Sequence, residues 1–243
     1  MAADRHSSTT DRSGAASVAP LLRVERAGQR YGEREVLAEV SVTVPAGSAL
    51  VVVGANGSGK STLLRMIAGR EKPATGQVLL DGRPVDEDDL ATRRSIAVSG
   101  DSVACYPDLS VREHLLMVAV AHGLGRAADG AVETVLGLFP SLRSEHDSLP
   151  QALSTGQLQA VLLAAALVRP HRLVVLDEPE QRLDDETKER LAQLLNQEKH
   201  HGVGLVLATH DPLLTHEVAD RVLRLHEGLV IENTAIRGGR GDR

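Results

Sequence analysis

The segment Gly54-Ala55-Asn56-Gly57-Ser58-Gly59-Lys60-Ser61 carries the most specific chemistry in the chain. Glycines at its first and sixth places, then lysine and a hydroxyl residue, give the spacing of a phosphate-binding loop. Glycine lets the backbone curl until successive N–H groups face one centre, and a following helix adds the partial positive charge of its N-terminus. Lys60 is then the candidate cation for the β- and γ-phosphates of a nucleoside triphosphate, and the Ser61 hydroxyl a hard oxygen for Mg²⁺. Thr62 completes the candidate nucleotide-binding stretch. The chain's own glycine, lysine and hydroxyl content would produce roughly 0.004 such matches by chance.

Three further segments fit the same chemistry. Leu173-Val174-Val175-Leu176-Asp177-Glu178 is an apolar run ending in two acids. A strand there delivers Asp177 to a Mg²⁺ ion and sets Glu178 beside the terminal phosphate, where it can polarise water. In Leu153-Ser154-Thr155-Gly156-Gln157 a serine suited to capping a helix precedes a glycine suited to close approach. Thr209-His210-Asp211 ends another apolar run with an imidazole.

These residues need a scaffold of buried strands and helices. Ala49–Val53, Leu173–Leu176 and Val203–Ala208 are short apolar runs of the kind covered on both faces, and Val36–Val44 alternates in part before the turn at Pro45-Ala46-Gly47. Helices are predicted at Ser61–Ala68, Val111–Ala121, Ala127–Leu138, Gly156–Val168 and Asp184–Gln197. Buried strands alternating with helices imply a parallel α/β sheet, and the purely helical signals over residues 111–168 imply a helical insert in it. Residues 1–20, rich in Ser, Thr and Ala without an apolar centre, predict a disordered leader and not a secretory signal, and residues 237–243 predict a flexible tail.

Composition excludes several classes. A net charge of −6 argues against a general nucleic-acid-binding surface, and two Tyr, one Phe and no Trp leave no stacking platform for single strands. The longest strongly apolar stretch, Val161–Val168, is far short of the ~20 residues that span a bilayer. A single cysteine, Cys105, fits a reducing cytoplasm.

Taken in order, these motifs resemble the ATP-binding subunits of ABC transporters: phosphate loop, a signature written LSTGQ here, the Asp177-Glu178 strand, Leu183-Asp184, then His210. The resemblance covers about residues 22–236 and implies an ATPase domain over 21–236: a mainly parallel core sheet, an antiparallel β subdomain near the N-terminus and an inserted α-helical subdomain at about 102–168. It implies ATP and Mg²⁺ as ligands, with Tyr31 stacking on adenine, Glu178 as general base and His210 on the γ-phosphate. It also implies a homodimer or heterodimer in which Ser154, Gly156 and Gln157 of one subunit meet the ATP held by the other, and partners that are integral membrane subunits on separate chains at the cytoplasmic face. The chain departs from the family pattern at Asp101, aligned with a Mg²⁺-contacting Gln, at Thr155 for a signature Gly, at Ala160 for Arg, and at Glu180 for Ser or Thr.

Overall fold

Unbroken apolar runs must be covered on both faces, and three of them lie side by side at the centre of this protein. The computed structural model describes residues 19–99 and 105–236. The chain opens with strands β1 (Leu22–Tyr31), β2 (Arg34–Val44) and β3 (Ala49–Val53), followed by helix α1 (Lys60–Ile67). Next come β4 (Thr75–Leu80), β5 (Arg83–Pro84), α2 (Leu90–Ser95) and β6 (Ile96–Ser99). The helices α3 (Val111–Ala121), α4 (Ala128–Leu138), α5 (Pro140–Arg143) and α6 (Thr155–Leu167) follow, with no strand among the described residues between β6 and β7 (Leu173–Asp177). The chain closes with α7 (Asp185–His200), β8 (Gly204–Ala208), α8 (Pro212–Val218), β9 (Arg221–His226) and β10 (Leu229–Ala235).

A six-stranded sheet in the order β10-β9-β3-β8-β7-β6 forms the core, parallel throughout except for the β9–β10 hairpin at one edge. A second, antiparallel sheet runs β2-β1-β4-β5. The α/β class, the mainly parallel core and the N-terminal antiparallel sheet therefore agree with the sequence. Side-chain alternation explains why the central strands read as solid apolar runs. Val51, Val174, Leu176, Leu205 and Leu207 face the cluster that includes α6 and α7, whereas Leu50, Val52, Leu173, Val175 and Val206 face the cluster shared with α1 and the antiparallel sheet.

Element ends shift by a few residues from expectation. The strand expected from Val36 begins at Arg34, the helix expected from Ser61 begins at Lys60, and those expected at Gly156–Val168 and Asp184–Gln197 run Thr155–Leu167 and Asp185–His200. Asp184 caps α7, accepting from the Thr187 N–H at 2.7 Å, and Asp185 and Glu186 occupy the first turn where negative charge is favourable. Of the expected leader only residues 19 and 20 are described, and the expected tail, 237–243, lies outside the described residues.

The α3 helix buries a titratable group. It opens with a Ser110–Glu113 capping box, and one turn in, His114 is 3% exposed with neither ring nitrogen hydrogen-bonded among the described residues. Burial pushes the imidazole below the ordinary histidine range, and does the same to His122 at the end of the helix. The unfolded chain therefore takes up protons that the fold resists, so stability falls as pH drops below about 6.5. We expect the urea midpoint to fall between about pH 7.5 and about pH 5.5, and His114→Leu to make that fall smaller. An equal fall in both proteins would contradict this assignment.

Candidate functional site

Sheet register brings the chemistry together. Val52 pairs with Ala208 across β3–β8, and Asp177 pairs with Ala208 across β7–β8. The segments leaving these parallel strands therefore emerge at one carboxyl edge, where open α/β sheets bind ligands. Glu178 extends the ladder by one bond, its N–H reaching the Ala208 carbonyl at 2.8 Å, before the chain turns with φ +46 at that residue.

The phosphate-loop segment Gly54–Gly59 curls between β3 and α1. A Cβ at Gly54 would lie 2.3 Å from the Leu225 carbonyl oxygen of β9, so only glycine lets the loop pass there. Gly59 precedes α1 with no side-chain cap, and no acidic residue occupies the helix's first turn. The first N–H groups of α1 are thus left for an anion, with the helix dipole in support.

Lys60 is 5% exposed. Its Nζ donates to the Gly54 carbonyl at 2.8 Å and the Ala55 carbonyl at 3.3 Å, and lies 3.1 Å from His210 Nε2. An ammonium can only donate, so this contact makes Nε2 the acceptor and leaves the ring proton on Nδ1. His210 Nε2 also lies 3.6 Å from Glu178 Oε1, while Glu178 Oε2 accepts from the Gln181 side-chain amide. The backbone N–H of His210 donates to Glu180 Oε1 at 3.0 Å. A cation, an imidazole and a carboxylate thus stand within contact of one another at the sheet edge.

A cavity of about 430 Å³ opens beside them, within the size range of small-molecule sites. Tyr31, Asn56, Gly57, Ser61, Thr62 and Glu178 are part of its wall, together with Gly59 and Lys60. The Tyr31 hydroxyl donates to Glu71, which also accepts from Arg65 at 2.9 Å and Gln29 at 2.6 Å. Burial pushes the Glu71 carboxyl up, but these donors outweigh it and hold the carboxyl below its usual range. The network pins one end of the Tyr31 ring, which stays about half exposed at the mouth of the site.

Ser154, Gly156 and Gln157 line a different part of the surface; none of them contributes to that cavity. Ser154 caps α6 in a reciprocal box: its hydroxyl accepts from the Gln157 N–H at 3.2 Å, and Gln157 Oε1 accepts from the Ser154 N–H at 2.9 Å. Gly156 is indispensable within the chain itself, because a Cβ there would lie 2.5 Å from the Arg182 carbonyl oxygen. Asp101 lies outside the described residues. Sequence reasoning missed Arg34 and Val36, which also line the cavity, and no local pattern marks them. It also missed the contacts of Glu180 and Gln181, although the unusual acid after Asp177-Glu178-Pro179 was a signal for the first.

The donor set fits a nucleoside triphosphate with a hard cation. A buried ammonium and uncapped helix N–H groups suit phosphates, while the Ser61 hydroxyl and the Asp177 carboxylate at the end of β7 are oxygen ligands of the type Mg²⁺ takes.

Comparison with known proteins agrees. The family model for ABC transporters matches residues 37–181. An aliphatic sulfonates import ATP-binding protein of Pseudomonas savastanoi pv. phaseolicola is 34% identical over 211 residues, covering 86% of this chain and 74% of the relative. An arginine transport ATP-binding protein of Bacillus subtilis is 31% identical over 221 residues, covering 88% and 90%. Among solved structures, a bacterial ABC transporter cassette determined as a dimer is similar at TM-score 0.81 and 25% identity, covering 89% of this chain and 99% of its own.

Proposed function

Because the chain belongs to the ABC transporter family, as an ATP-binding and ATP-hydrolysing subunit, we propose that it acts as one half of a nucleotide clamp that drives transport through membrane subunits on separate chains. The observation that carries this reading is the convergence of Lys60, His210 and Glu178 at one sheet edge, with Ser154 and Gly156 displayed away from that cavity.

Each part has a physical role. Lys60 leaves its loop carbonyls for the β- and γ-phosphates, whose oxygens are stronger, charged acceptors. The N–H groups of Gly57, Gly59 and Lys60 complete the cradle around Gly54, Ala55 and Asn56, while the Ser58 N–H holds the curve of the loop by donating to the Ala55 carbonyl at 3.1 Å. Tyr31 offers its ring to the adenine, held from behind by Glu71. Ser61, Asp177 and Asp101 would hold Mg²⁺, which when bound neutralises charge on the phosphate oxygens. Glu178 accepts the proton of the water that attacks the γ-phosphorus, so that the bond to the ADP oxygen breaks and phosphate leaves. Once Lys60 has moved to the phosphates, His210 Nε2 no longer accepts from it, and the ring, with its proton shifted to Nε2, donates to the terminal phosphate.

One subunit supplies half of this site. Ser154, Gly156 and Gln157 at the start of α6 would meet the γ-phosphate of the ATP bound by a second subunit, identical or related, and the helix N-terminus favours that anion. Loss of the γ-phosphate opens the clamp, and the motion passes to the membrane subunits. Among the described residues no helix is long and apolar enough to cross a membrane. The place proposed for the subunit is the cytoplasmic face, beside the membrane chains it drives. The relatives are named for different cargoes, aliphatic sulfonates and arginine, and the first is named for import. The direction proposed here is import, with the cargo set by the membrane chains.

Affinity capture from detergent-solubilised membranes tests the partnership. We expect a chain with several hydrophobic spans to be retained. Retention of soluble partners alone would replace transport with ATP-driven remodelling of a soluble protein.

A further inference from the structure

Resting on the assignment of Glu178 and His210 to hydrolysis, we propose that Glu180 is a positioning residue for that reaction, holding the His210 main chain so that the imidazole stands between Lys60 and Glu178.

Three consecutive N–H groups follow β8, and each finds a different acceptor. Thr209 donates to the Val52 carbonyl of β3 at 3.3 Å, and Asp211 donates to the Thr209 hydroxyl at 2.9 Å. Between them, His210 donates to Glu180 Oε1 at 3.0 Å. Thr209 is fully buried and Asp211 caps α8, so the residues flanking His210 are fixed by the sheet and by the next helix. Glu180 fixes the peptide between them. The His210 side chain is about half exposed and has little packing to hold it, so its place depends on that peptide.

The chain around Glu180 is built as a short rigid bridge. Gln181 donates its backbone N–H to the Glu178 carbonyl at 3.2 Å, and Leu183 does the same to the Glu180 carbonyl at 3.2 Å. Glu178 and Arg182 both adopt positive φ, +46 and +64. Within this bridge Glu180 reaches the backbone of His210 while its neighbour Gln181 holds Glu178 Oε2 through its side-chain amide. Adjacent residues thus grip the two groups assigned to the reaction. The second oxygen of Glu180, Oε2, is buried with no hydrogen-bond partner among the described residues. Burial of an unpaired carboxylate oxygen carries a desolvation cost, which the packing of a loop alone gives no reason to retain. Sequence resemblance places a Ser or Thr at this position, whose hydroxyl is two bonds closer to the backbone than the Glu carboxylate. The long acid is therefore a device of this chain.

The test is steady-state ATP hydrolysis by the full chain carrying Glu180→Met, which keeps side-chain length but removes the acceptor. We expect kcat to fall about tenfold with KM for ATP within about twofold of wild type, and Glu180→Gln, which keeps a carbonyl acceptor, to recover most of the rate. The decisive arm is the pair with His210→Ala. If Glu180 acts through His210, adding Glu180→Met to His210→Ala lowers kcat no further. An unchanged kcat in Glu180→Met, or a further tenfold loss in the double variant, would overturn the proposal while leaving the site assignment intact. Wild-type hydrolysis by His210→Ala would instead remove the assignment on which the proposal rests. Melting temperatures of all variants exclude loss of folded protein as the source of lower rates.

Discussion

Lys60→Ala is expected to weaken ATP binding by about 100-fold or more and to leave no measurable hydrolysis. A charge-assisted hydrogen bond to phosphate contributes about 1.5–3 kcal/mol, and each 1.4 kcal/mol is tenfold in affinity. Lys60 is buried and directed by the loop carbonyls of Gly54 and Ala55, so no neighbouring lysine can substitute for it by a change of rotamer. The loss can exceed one hydrogen bond because the triphosphate is then left with only the helix N-terminus and Mg²⁺ to offset its charge. Calorimetric titration with ATP and Mg²⁺ measures it. Near-wild-type affinity would remove the phosphate-loop assignment. The same variant loses the 3.1 Å contact to His210, so a His210 NMR signal that differs from wild type without nucleotide would report that the contact is present in the wild-type protein.

Glu178→Gln separates binding from chemistry. The amide keeps the volume and can still accept from Gln181, but it cannot take the proton from water. General-base catalysis is worth about 10²–10⁴ in rate, so kcat should fall by that factor while ATP affinity stays within a few-fold of wild type. A variant that hydrolyses ATP at the wild-type rate would move the base elsewhere. Glu180 is the acid to examine next, being two residues away with one oxygen on the His210 N–H.

How much of this was legible in the sequence differs between the core and its margins. The phosphate loop, the Asp177-Glu178 strand and the opening of α6 could be read because each is a local pattern with a local cause. The runs at Ala49–Val53 and Leu173–Leu176 have to be buried on both faces, glycines have to occupy the tight curve, and Ser154 with Gln157 has to cap a helix. Strand β1 was not legible. Its register shifts three times against β2, at Val24/Ala27, Ala27/Gln29 and Gln29/Arg30, and each shift breaks the alternation of apolar and polar side chains. Strand β10 was hidden for a different reason: Leu229, Val230 and Ile231 are all exposed on an edge strand, so no buried face leaves a trace in its sequence.

The same distinction holds in the site. Lys60, Ser61, Glu178 and His210 each carry a motif, whereas Arg34 and Val36 reach the cavity only because β1 and β2 form a hairpin about Gly32. Contacts that close over long sequence distance, such as Lys60 to His210 across 150 residues, follow from the register of β3 against β8 and cannot be read from either segment alone. Gly156 shows how a motif residue can carry two demands. The resemblance gives it a role toward a second subunit's phosphate, and the packing against the Arg182 carbonyl gives it one inside its own chain.

The central claim is that each ATP site is completed by a second subunit, and the state of association of the Glu178→Gln variant tests it most directly. Size-exclusion chromatography with light scattering should find this variant as a monomer without nucleotide and as a dimer near twice 25.9 kDa with saturating ATP, since the clamp closes but hydrolysis no longer opens it. Adding Ser154→Arg, which sets a bulky cation at the start of α6, should return it to the monomer with ATP still bound. A monomer at every ATP concentration, in a Glu178→Gln protein that binds ATP normally, would contradict the account.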